Sequence, residues 1–98
     1  MFKCHIAHTM TAEALAASQV EKLERSVSAV MRRLNERANF CRETASGYKK
    51  SGRSDLAQVW SLAAEQAETR IETVKALAQA EWFHPEEYDP DAISAGAQ

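Results

Sequence analysis

The chain has 98 residues, a net charge of −2 and a pI near 5.9, with eighteen alanines, three glycines and two prolines. That length points to a single helical domain with a modest core, and the mild acidity excludes a global pull toward nucleic acid or anionic membranes. No apolar run approaches the roughly 20 residues that span a bilayer.

Residues 1–8 have neither an apolar signal region nor a cleavage site. The protein is therefore expected in the cytoplasm, where Cys4 and Cys41 stay reduced rather than joining in a disulfide. Residues 1–10 read as an N-terminal extension, with Met10 an alternative translation start.

The composition, rich in alanine, glutamate, arginine and leucine, reads as all-α because these residues lose least on entering a helix. Met10-Thr11-Ala12-Glu13-Ala14-Leu15 has the form of a helix start: Thr11 caps, Glu13 suits the positive dipole end, and Met10 and Leu15 form a staple. Apolar residues then recur at Val20, Leu23, Val27, Val30, Leu34, Ala38, Cys41, Ala45 and Tyr48, alternating three and four apart with one double four at Leu34. The first half is a heptad seam, and the double four is a stutter that returns it to a 3.6 period. This predicts a first helix over about residues 12–46, with a break near Asn35 or Asn39 as the three-helix alternative.

Gly47 is placed to end that helix in the left-handed region, and Gly52 to relax the turn. Ser54 or Asp55 would cap the second helix, with Gln58 completing a capping box. That helix, about 55–83, carries Leu56, Trp60, Ala63, Ala67, Ile71, Val74 and Ala78 on one face. Pro85 stops it, because the residue before a proline is pushed toward extended geometry. Residues 85–98 read as an irregular, acidic tail, with Tyr88 and Ile93 able to fold back over the hairpin end.

Two such helices form an antiparallel hairpin. The seam residues Val20, Leu23, Val27, Val30, Leu34, Trp60, Ala67, Ile71 and Val74 are the expected core. Two stripes make a thin core, so a homodimer forming a four-helix bundle is the expected assembly. Phe40, Leu62 and Phe83 fall off the stripes and support this.

Tyr48, Gly52, Ala57 and Ala64 stand in the Tyr-x₃-Gly-x₄-Ala-x₆-Ala spacing that resembles one unit of a tetratricopeptide repeat. The resemblance covers under a quarter of the chain. The unit's aromatic position falls on Ser61, its proline position on Thr69, and no second copy is present. It implies close packing of two helices through small residues and no repeat-family function.

Three chemistries deserve comparison. Between residues 32 and 53, seven basic side chains stand against Glu36 and Glu43; between 65 and 91, eight acids stand against Arg70 and Lys75. Arg42, Lys49, Lys50 and Arg53 thus form a basic tip that offers phosphate contacts, the nucleic-acid alternative, though no Walker motif is present. Glu81 and His84 form a Glu-x-x-His pattern of the kind that di-iron bundles use, with Glu21 or Glu24 at a similar height; Cys4, His5 and His8 make a looser cluster. Neither earns a metal or cofactor assignment, and no nucleophile and base lie together, so no enzyme is expected.

The third is the aromatic–acidic segment 81–90, where Trp82, Phe83 and Tyr88 can anchor an interface. With Phe40 and Leu62 these are the expected partner-binding residues. The resulting expectation is a non-enzymatic regulator, inhibitor or adaptor, of bacterial anti-activator or phage-inhibitor type, that occludes a surface of a larger protein.

Overall fold

The computed structural model describes the backbone of residues 4–89 and 91, and side chains from Ala12 onward. Two long helices, α1 (Cys4–Lys50) and α2 (Ser54–Gln79), are followed by a short 3-10 turn at Pro85–Glu87. The class is all-α, a helical hairpin. The chain divides into two compact units, residues 24–80 and a second unit of residues 1–23 with 81–98; each is taken separately.

In the 24–80 unit, α1 and α2 run antiparallel across a seam of small side chains. Ala38, Cys41 and Ala45 of α1 and Ala57, Ala64 and Ala67 of α2 are the buried apolar residues, and Cys41 and Ala64 have no exposed surface. Side chains this small let two helix backbones approach closely. They bury little area in return, on the order of 0.8 kcal/mol for each methyl. Ala57 and Ala64 pack as the repeat-like spacing implies.

The larger residues expected in the core lie around the seam. Leu34, Trp60, Ile71 and Val74 are half-buried, as is Val27. Val30 is 46% exposed, and in the other unit so is Leu23. The reason is geometric: once alanine and cysteine bring the helices together, side chains on the edges of the stripe are pushed outward.

The ends of both helices differ from those expected, while the first helix is unbroken as expected: α1 runs past Asn35 and Asn39 without a break to Lys50. It also begins at Cys4, so Thr11 lies inside the helix and does not open it; the side chains of Cys4, His5, His8, Met10 and Thr11 fall outside the described residues. At its other end α1 runs through Gly47, which a helix tolerates at modest cost. Gly52 takes the left-handed position instead, with φ of 80°.

The turn is a Schellman motif: Arg53 N–H donates to the Tyr48 carbonyl at 2.8 Å and Gly52 N–H to that of Lys49 at 3.1 Å. Ser51 Oγ donates to the Gly47 and Tyr48 carbonyls, each at 3.2 Å. Lys49 and Lys50 in the last turn complement the negative dipole end.

Arg53 ends one helix and begins the other, its carbonyl accepting Ala57 N–H at 2.9 Å. It occupies the N-cap place of α2 without a side-chain cap bond, so Asp55 sits inside the first turn and no capping box forms with Gln58. At the far end α2 stops at Gln79, four residues short of Phe83. Ala80 turns extended, closing on the Leu77 carbonyl at 3.2 Å. The last turn has no basic residue, and Glu81 next to the negative dipole end opposes extension.

Neither Gly47 nor Gly52 has an atom within 4 Å of an added Cβ, so only backbone terms act on substitution. Gly47→Ala should stabilise the protein by about 0.5–1 kcal/mol; Gly52→Ala should cost about 1–2 kcal/mol, because alanine resists the left-handed region. Urea denaturation of both variants checks the opposite signs. In the seam, Ala64→Leu should cost roughly 1–3 kcal/mol by overpacking, and a neutral result would show that the helices are not closely apposed.

Candidate interaction surface

Two cross-helix contacts fix which flank of the hairpin is which. On one, Arg42 makes a two-pronged ion pair with Glu68, Nη2 to Oε1 at 2.7 Å and Nε to Oε2 at 3.1 Å. On the other, the Phe40 ring meets Trp60 edge-on, with centroids 5.8 Å apart and planes at 78°. Such an aromatic pair adds about 0.5–1.5 kcal/mol beyond its buried area.

The second flank is apolar and basic. On α1 it follows Val30, Arg33, Arg37 and Phe40, spaced three, four and three apart, which at about 100° per residue keeps them on one side. On α2 the same reasoning from Trp60 brings round Val59, Ala63, Arg70, Val74 and Leu77. Phe40, at 57%, is among the large apolar residues left exposed, together with Val59 and Leu77. No aspartate or glutamate of residues 24–80 falls on this flank. Arg33 reaches back to Glu36, on the outer side of α1, at 3.6 Å in a solvent-exposed pair. The opposite flank carries Asn35, Asn39, Glu65, Glu68, Glu72 and Lys75 beside Arg42.

Of the expected partner-binding residues, Phe40 therefore belongs to the apolar flank and Leu62 projects from the outer side of α2, exposed. Val59 and Leu77 were absent from the expected set. Their spacing to Ala63 and Arg70 was the signal, visible only once the seam had been located at Ala57, Ala64 and Ala67.

The basic tip is partly committed to internal pairing. Arg42 is held by Glu68, which raises its pKa further, chiefly through their hydrogen bonds. Arg53 Nε and Nη2 each lie 3.4 Å from an Asp55 carboxylate oxygen. This contact and the Leu56 N–H hold the Asp55 carboxyl below the usual aspartate range. Lys49 and Lys50 stay exposed.

In the other unit, the chain past α2 has no regular secondary structure from Glu81 to His84. Phe83 is 83% exposed and Tyr88 is exposed too, while Trp82 is half-buried. Glu81 and His84 do not share a helix face, because α2 ends before them; the Glu-x-x-His geometry is not formed. His84 Nδ1 lies instead 3.1 Å from Glu86 Oε2. With Glu87, these side chains bring one ligand atom each to within 4.8 Å of one another, and they are the described residues that could hold a cation. Glu86 Oε1 is buried without a hydrogen-bond partner.

No family model, no curated protein and no solved structure matches this chain.

Arg42 lowers the pKa of Glu68 below 4.5, chiefly through the hydrogen bonds. A depressed carboxylate pKa contributes stability that is present above the unfolded value and lost as pH falls through the folded one. Glu68→Gln should therefore lower Tm slightly at neutral pH, as befits a half-exposed pair. The two proteins should converge in Tm as the pH falls below 4.5. A constant difference down to strong acid would remove the ion pair as its cause.

Proposed function

We propose that this chain is a small, non-enzymatic protein–protein interaction module that acts in the cytoplasm as a homodimer. It regulates, inhibits or adapts a larger protein by covering part of its surface. One observation carries the reading: the hairpin fills its own seam with alanine and cysteine and holds its large apolar side chains outside it. A protein that spends Phe40, Val59 and Leu77 on solvent leaves them for another surface, since contiguous exposed apolar area marks interaction sites. The aromatic pair Phe83 and Tyr88 adds a second such area, and rigid rings of this kind anchor interfaces. The buried free thiol of Cys41 suits a reducing compartment. Among the described residues no helix is long and apolar enough to cross a membrane.

Nucleic-acid contact through the tip is the weaker reading, because Arg42 and Arg53 already face carboxylates. That contact would show as binding that Lys49→Glu with Lys50→Glu abolishes and salt weakens steeply.

Photo-crosslinking in the native cell tests the module directly. A crosslinker replacing Leu62, exposed on the outer side of α2, should give discrete adducts with one larger protein, whereas one replacing Glu65 on the polar flank should not. Equal, diffuse labelling from both positions would sink the proposal.

A further inference from the structure

We propose that the acid-free flank of the hairpin seats residues 81–89 of a second copy of this chain, the two copies exchanging these segments reciprocally; this rests on the interaction-module reading and names its first partner.

The flank needs a cover. Residues 24–80 bury no side chain larger than cysteine, and a core that small leaves a short domain dependent on further contacts. The available area suits a protein partner. Each helix of this unit runs about 40 Å, and two side by side at about 10 Å give a face of roughly 800 Å². That is the share a standard interface takes from one partner, about 800 Å². A partner that completes a core must be present whenever the chain is, and a second copy always meets that condition.

Charge then selects which part of the second copy fits. Arg33, Arg37 and Arg70 line the flank with no carboxylate on it, Arg33 being shared with Glu36 from the outer side of α1 in a solvent-exposed pair. Packing two flanks face to face would bring three arginines from each copy together without an acid, and like charges so placed oppose association. Residues 81–89 have the complementary chemistry. Glu81, Glu87 and Asp89 are exposed, Glu86 is turned to His84, and no lysine or arginine is present. Between those acids stand Phe83 and Tyr88, both exposed. The segment thus offers two rings to Phe40, Val59 and Leu77, and three carboxylates to three guanidinium groups, which bind carboxylates in forked pairs. Reciprocal exchange closes the assembly at two copies by a two-fold axis.

The test is sedimentation velocity of the full chain over a concentration series, at low and high salt. A reversible dimer that salt weakens is expected. Arg37→Glu with Arg70→Glu should weaken it at least about tenfold, and adding Glu87→Arg with Asp89→Arg should restore much of the loss. Phe83→Ala should weaken it as well, with helicity unchanged by circular dichroism because the ring is exposed. As a check that needs no variant, a synthetic peptide of residues 81–89 should dissociate the wild-type dimer. A monomer at every concentration, or a dimer indifferent to the charge reversals and to the peptide, overturns the inference. If the chain is monomeric and the crosslinker at position 62 still captures a larger protein, this inference and the homodimer fail while the interaction module stands; if it captures nothing, both fall.

Discussion

The close approach of α1 and α2 governs the rest of the hairpin. Ala38, Cys41 and Ala45 facing Ala57, Ala64 and Ala67 supply only methyl and thiol groups between two backbones. Because the gap is narrow, side chains one step outside the seam reach across it. Arg42 meets Glu68 on one flank and Phe40 meets Trp60 on the other. For the same reason the residues that usually fill a core cannot enter it. The apolar flank is thus a product of the seam, and the two features have one cause.

The helical class and the hairpin were legible because alanine content and three–four spacing both report directly on helices. The seam residues were legible too, as members of the stripe, but their weight was not. Periodicity marks a face without saying how closely it is approached, so Leu23 and Val30 were expected in the core while Ala38, Cys41 and Ala45 were placed only on the stripe. Burial reverses that order. Gly47 and Gly52 illustrate a second limit. Either glycine can end a helix, and the choice depends on Ser51 and Arg53 completing the turn's hydrogen bonds three to five residues on. A third limit is the Glu81–His84 pattern, which presupposes a helix that stops two residues before it begins.

Charge changes meaning in the same way. Counted along the chain, the positive side chains crowd the region before the turn and the acids crowd the end. In space, Arg42 and Arg53 are turned toward carboxylates and partly neutralised there. Arg33, Arg37 and Arg70 come from distant places in the sequence and fall on one flank beside Phe40, Val59 and Leu77. Basic character is therefore redistributed from the tip to a long surface.

Cys41 gives the seam a chemical readout. It is a free thiol in the seam with no exposed surface. Reagents meet the thiol only in the fraction of molecules whose helices have parted, so its modification rate is the reactivity of the freed sulfur scaled by the opening equilibrium. Labelling at this single sulfur therefore counts how often the two helices part.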